Sequence, residues 1–424
     1  MIAFEILINK FLKEGGYPIL VGGSVRDRFL GKSSKDFDIE IHGLTYEQVL
    51  NILKFLGPVC CVGKSFGVFK LFNFDIGLPR VEYKGGYTHK DFYIDYMSNL
   101  NYYDASMRRD FTINSMGINF FNGLLLDPHF GKLDLKVKRV KHISVAFGED
   151  SLRVLRACRF SSVLGFNIWA QTIAICQQLR FELQYLPRER IGLEFCKILM
   201  SSKPSLGIRS LIDTHAYYVF PELFFLSGKL YAEKVAKLLD SVDMLSCQNA
   251  NLNLRLSIFC HYIGVMYSAC TRTPKHSVEI FFIEQFLQRI NIPNKDIEHI
   301  LSTIQNLRFC FSLKSLDNIF LYKLAAKLNI EELCILKYSL ETEKGMKYLF
   351  EKMLKKAQRL GILNSSLSPI IKGRDLILQG IMPGPLVGKI VKLAYQSQID
   401  GGFYDARGAK EWLFLNVNKI LLDH

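Results

Sequence analysis

Apolar and polar positions change their rhythm part-way along the chain. Up to about residue 140, short apolar runs alternate with glycine-rich turns, whereas from Glu149 onward apolar residues recur at helical spacing with few strand signals. Tyr17 to Val21 reads as a strand entering Gly22-Gly23, Val25 to Leu30 as a helix, Asp36 to Ile41 as a second strand and Phe66 to Phe74 as a third. Met116 to Phe121 and Leu124 to Leu126, joined by Asn122-Gly123, read as a hairpin, because Asn-Gly suits the positive φ angles of a tight turn. Downstream, Pro204, Pro221, Pro274, Pro293, Pro369, Pro383 and Pro385 mark breaks between helices. The pattern predicts an α+β protein, a small mixed-sheet head followed by an all-helical body.

Composition narrows the class. At 424 residues the chain is long enough for two to four domains, and 49% hydrophobic with 12% aromatic residues suffices for packed cores. The formal charge of +14 favours a polyanionic partner, without separating nucleic acid from a membrane surface. Ten cysteines with one close pair, Cys60-Cys61, and no Cys-x-x-Cys suggest free buried thiols in a reducing compartment. Glu5, Lys10 and Lys13 interrupt any signal-peptide core, and the longest uncharged run, Leu256 to Thr271, is too short and polar for a membrane span. A cytoplasmic location without membrane partners is expected.

The most informative chemistry lies at Asp36 and Asp38. Strand residues i and i+2 share a face, so both carboxylates point into one site and call for a cation. Gly22 and Gly23 permit close backbone approach to a ligand, Ser24 is placed to cap the following helix, and Arg26 stands beside an anion-binding helix start. Hard oxygen ligands next to a phosphate site favour magnesium. Two solvent-facing aspartates after a turn are the plainer alternative.

Two further strings carry chemistry. In Glu149 to Phe160, Asp150 can cap a helix on which Arg153, Arg156 and Arg159 follow, each step drifting about 60°. A carboxylate accepts from an exocyclic amine and a guanidinium donates to base acceptors, so Asp150 and Arg153 could read a base edge; cap plus surface charge is the alternative. In Arg108 to Met116, Arg109 is suited to triphosphate or sugar oxygens, against a short capped helix with exposed arginines. The loop from Glu82 to Phe92 is glycine-rich, basic and aromatic, and Asp75 is a candidate third carboxylate.

Together these strings resemble the class II CCA-adding tRNA nucleotidyltransferases and the related bacterial poly(A) polymerases of the polymerase β superfamily. Gly22 to Asp38 is similar to the family's metal motif, Arg108 to Asn114 to its Arg-Arg-Asp motif, and Asp150 with Arg153 to its nucleotide-template motif. Pro187 to Ile191, Phe220 to Leu223 and Gly380 to Lys389 extend the likeness. The resemblance implies magnesium on Asp36 and Asp38, triphosphate contacts from Gly23, Arg26 and Arg109, base reading by Asp150 and Arg153, and a pocket completed by Arg156 and Arg159. It also implies a head at 1–140, a neck at 141–200, a body at 201–350 and a tRNA-binding tail at 351–424, with CTP, ATP and tRNA as substrates. Poly(A) addition, partial addition of CC or A, and non-catalytic RNA binding are the alternatives. Some relatives carry a His-Asp phosphohydrolase pair; here Tyr262 follows His261, so that second activity is not implied.

Overall fold

The computed structural model describes residues 2–34, 36–62, 68–84, 92–271, 276–309, 316–340 and 344–422. Helix α1 (Ile2–Lys13) leads into β1 (Tyr17–Val21), α2 (Gly23–Phe29), β2 (Phe37–His42), α3 (Tyr46–Leu56), β3 (Cys60–Val62), β4 (Val68–Leu71), β5 (Phe74–Gly77), β6 (Arg80–Lys84), β7 (Phe92–Tyr96) and α4 (Tyr102–Ser106). After a 3₁₀ turn at Thr112–Asn114 come β8 (Gly117–Asn119), β9 (Leu125–Leu126), α5 (Gly131–Lys136) and β10 (Arg139–Val140). The chain continues through α6 (Leu152–Leu164), β11 (Asn167–Ile168), α7 (Ala170–Leu179), α8 (Arg188–Leu199) and α9 (Pro204–Asp213). Helices follow to the end of the described chain: α10 (Ala232–Cys247), α11 (Leu252–Thr271), α12 (His276–Arg289), α13 (Asn294–Phe309), α14 (Asn318–Ala325), α15 (Ile330–Leu340), α16 (Lys344–Arg359), α17 (Gly373–Leu378), α18 (Pro385–Ile399) and α19 (Ala406–Leu422). The α+β reading holds.

Seven strands form one sheet in the order β3-β4-β5-β2-β1-β8-β9, antiparallel except where β2 runs parallel to β5. Strand β2 lies inside this sheet and alternates. Ile39 and Ile41 enter the core with Phe11, Val49, Leu53, Phe69 and Ile76, while Asp38, Glu40 and His42 occupy the other face. That core fixes the register, because a slip of one residue would turn the carboxylates into the apolar core and the isoleucines onto the polar face.

Three local expectations are corrected. Helix α2 starts at Gly23 with Gly22 in the capping position, and the Ser24 hydroxyl donates to the Val21 carbonyl at 3.0 Å instead of capping. Gly22, at φ +77°, turns the chain so sharply that the helix begins before Ser24 can cap it. The stretch predicted as a strand from Phe66 to Phe74 is a hairpin, β4 and β5, reversed at Phe72 with φ 54°; residues 66 and 67 lie outside the described residues. The Asn122-Gly123 hairpin forms, but only Gly123 takes positive φ, and the Asn119 and Asn122 side chains close a longer loop by accepting from Phe121 N and Leu124 N.

The backbone divides into two compact units, Met1–Leu239 with Gln285–Ile292, and Asp240–Glu284 with Pro293–His424. In the second, α11 carries Leu256, Ile258, Phe259, Cys260 and Ile263 fully buried, and so absorbs the uncharged run noted in the sequence. Tyr262 is also buried, its hydroxyl 3.2 Å from Ser241 Oγ. Among the described residues no helix is long and apolar enough to cross a membrane. Cys158, Cys176, Cys260 and Cys334 are free and buried as expected, whereas Cys247 and Cys270 are exposed at the C-terminal ends of α10 and α11.

Candidate active site

The three chemical strings converge on one cavity of about 570 Å³ in the first unit. Gly23, Arg26, Asp38, Arg109, Asp150, Arg153, Arg156 and Arg159 all line it. Asp36 does not; it is exposed just ahead of β2, two residues from Asp38. The glycine-rich loop falls mostly outside the described residues, at 85–91, but its flanks pair antiparallel as β6 and β7.

A relay of buried and half-buried side chains ties the strings together. Arg26 Nη1 donates to Asn114 Oδ1 at 2.7 Å, Asn114 Nδ2 donates to Asp110 Oδ1 at 3.0 Å, and Arg156 donates to Asp110 Oδ2 through Nε at 2.8 Å and Nη2 at 2.5 Å. Burial alone would raise the Asp110 pKa, but Arg156 and the Asn114 amide outweigh it and hold the carboxyl below its usual range. Phe160 packs beneath three guanidinium groups, 5.2 Å from that of Arg26, 5.5 Å from Arg156 and 4.4 Å from Arg159. Arg159 also pairs with the buried Glu194 at 3.0 Å.

The expected Asp150 and Arg153 partnership is rearranged. Asp150 Oδ1 accepts from the Leu152 amide at 3.1 Å and its Oδ2 from Arg190 at 2.9 Å. Arg153 donates instead to the carbonyls of Ala146 and Arg108 at 2.5 and 2.7 Å. A guanidinium three residues on can reach the preceding 3₁₀ turn, Val145–Glu149, more readily than a carboxylate already engaged by a helix amide and a second arginine. Both side chains still line the cavity. Phe160, Glu194 and Arg190 were missed in the sequence; the signal for Arg190 was present, since it stands in one of the strings that carried the family resemblance.

Asp38 sits where strand meets turn. It faces Val21 in antiparallel register and Asp75 in parallel register. A methyl group placed on Gly22 would lie 3.0 Å from Asp38 Oδ2 and 3.5 Å from Arg109 Nη1, so only glycine allows both groups so near the backbone. Partial burial raises the Asp38 pKa, Arg109 opposes this, and the neighbouring Asp75 and Asp36 raise it further. Like charges drawn together in this way suit a hard divalent cation. Asp75 is already paired with Lys70 at 2.9 Å, and among the described residues no three His, Cys, Asp or Glu side chains form a metal cluster. Asp38, with Asp36 two residues before it, offers the hard carboxylate oxygens that a divalent cation takes together with substrate phosphates.

Charge decides what the cavity takes. Eight arginines line it against Asp38, Asp110 and Asp150, with Glu40 and Glu194 behind them, leaving an excess of positive charge matched to a polyphosphate.

Comparison with known proteins identifies the family. The poly(A) polymerase head domain family matches residues 19–141, and the family described as "Probable RNA and SrmB- binding site of polymerase A" matches 165–226. A multifunctional CCA protein of Shewanella denitrificans is 33% identical over 318 residues, covering 70% of this chain and 76% of that protein. The chain belongs to the CCA-adding and poly(A) polymerase family. A multifunctional CCA protein of Haemophilus ducreyi is 31% identical over 322 residues, covering 70% of this chain and 77% of its own. The fold matches the crystal structure of a Bacillus stearothermophilus CCA-adding enzyme in complex with CTP, with a TM-score of 0.73 and 20% identity over 99% of this chain and 98% of that one. Membership of this nucleotidyltransferase family entails use of a divalent metal.

Proposed function

We propose that this protein adds CCA to the 3′ end of tRNA from CTP and ATP without a nucleic-acid template. The observation that carries the reading is the single cavity that gathers the Asp38 carboxylate, the Gly22-Gly23 turn and the arginines around a base-reading candidate, Asp150. The RNA 3′-hydroxyl attacks the nucleotide α-phosphorus, the bond to the β-phosphate bridging oxygen breaks, and pyrophosphate leaves while the hydroxyl proton passes to solvent or a carboxylate. Magnesium, held by Asp36 and Asp38, would supply activation of the attacking oxygen and charge neutralisation on the leaving group.

The chain's own residues do the positioning. Arg26 and Arg109, with the backbone at Gly23, hold the triphosphate in line, and Arg156 and Arg159 screen its charge. Asp150 accepts from the amine of cytosine or adenine, which uracil lacks, and Arg153 donates to acceptors on the same edge. The basic surface holds RNA through phosphates.

The test supplies purified protein, magnesium and CTP to a tRNA that ends before its CCA. Pyrophosphate should appear one for one with incorporated cytidine, and Asp38→Ala should lose both; undiminished release by that variant contradicts the assignment.

A further inference from the structure

Glu40 is a carboxylate in an unusual place. It projects from β2 two residues beyond Asp38, on the same strand face, and is only 3% exposed. An isolated buried carboxylate is costly, so its partners account for its presence. Glu40 Oε2 accepts from Arg108 Nη2 at 2.9 Å and from Arg109 Nη2 at 3.2 Å. Its Oε1 lies 3.0 Å from His42 Nε2, and His42 Nδ1 lies 2.9 Å from the Leu100 carbonyl. The row Asp38, Glu40, His42 is thus a polar rail backed by the Ile39 and Ile41 core.

The consequence falls on Arg109. One end of its guanidinium is fixed on Glu40, while Nη1, at the other end, makes a long 3.5 Å hydrogen bond to the Asn114 carbonyl beside Gly22 and the Asp38 carboxylate. Without a carboxylate behind it, this guanidinium would swing to the nearest negative charge in the cavity, Asp38 itself. Such a swing would place a cation where the metal belongs and withdraw a donor from the phosphates.

We propose that Glu40 is a positioning residue that seats Arg108 and Arg109 so that Arg109 presents its Nη1 edge to the triphosphate and stays off Asp38. The inference rests on the cavity being the nucleotide site. Glu40 touches no substrate and acts only through the two arginines.

Glu40→Gln is the first variant, because it keeps shape and one acceptor while removing the charge. Affinities for CTP and CMP are measured calorimetrically on the full chain with magnesium, beside steady-state constants and thermal melting. A structural role alone would weaken both nucleotides alike. The seating role predicts that the ratio of CTP to CMP affinity falls about tenfold, that KM for CTP and ATP rises by about the same factor, and that KM for the RNA acceptor stays within about twofold. In the Glu40→Gln, Arg109→Ala double variant, the loss should be no greater than in Arg109→Ala alone. Equal loss for CTP and CMP, no loss, or multiplicative losses in the double variant would overturn the inference. If Glu40→Gln does not fold, Glu40→Gln with Arg108→Gln restores the charge balance and is read by the same ratio. Failure of the nucleotide-site reading looks different: the wild-type protein would not bind CTP, and the inference would fall with it.

Discussion

At the scale of single residues, the site is built from charges that constrain one another. Asp36→Ala and Asp38→Ala should each lower kcat by more than about 100-fold, since loss of a group merely supporting a metal ligand already costs 10–100-fold. Circular dichroism should stay unchanged, because both side chains lie on the open face of β2 or ahead of it. Gly22→Ala tests the turn. Positive φ and a contact 3.0 Å from Asp38 Oδ2 should destabilise the fold by about 1–3 kcal/mol and reduce activity further by displacing the carboxylate. Asp110 supplies a pH dependence. Its folded pKa lies below the ordinary value, so its contribution to stability is fully present above the unfolded pKa, roughly 4, and is lost as pH falls through the folded value. Urea midpoints measured from pH 6 to pH 3 should therefore fall more steeply for the wild type than for Asp110→Asn; parallel curves would refute the assignment.

At the scale of elements, β2 and α6 were the most legible parts of the sequence. The alternation from Asp36 to His42 marks one polar and one apolar face, and Ile39 and Ile41 enter the core accordingly. The arginines on α6 reach the cavity as their spacing suggests, but each finds a different partner: backbone carbonyls for Arg153, Asp110 for Arg156 and Glu194 for Arg159. Those partners lie far away in sequence, and helical periodicity carries no information about them. For the same reason Glu40 escaped notice, because its meaning comes from arginines 68 and 69 residues away. Ser24 was misassigned because a glycine with positive φ moved the helix start ahead of it. The α6 geometry makes a prediction about base choice. Asp150→Asn replaces a pure acceptor with a group that can donate to uracil O4, so use of UTP relative to CTP should rise by about tenfold or more in single-nucleotide incorporation. An unchanged ratio would place the base reader elsewhere.

At the scale of the whole molecule, the proposed function gives the excess of basic residues and the arginine-lined cavity two polyanions to serve, the RNA and the nucleotide. The net charge of +14 predicts that tRNA affinity weakens by about tenfold or more between 50 and 200 mM salt, whereas CTP affinity, set inside the cavity, weakens less. Chelation should stop incorporation and added magnesium restore it. The most direct test of the account is the sequence left on the RNA. A tRNA ending before its CCA, incubated with purified protein, magnesium, CTP and ATP, should acquire a 3′ end of CCA and stop there. A run of adenosines, CC alone, or A added only to tRNA already ending in CC would contradict full CCA addition.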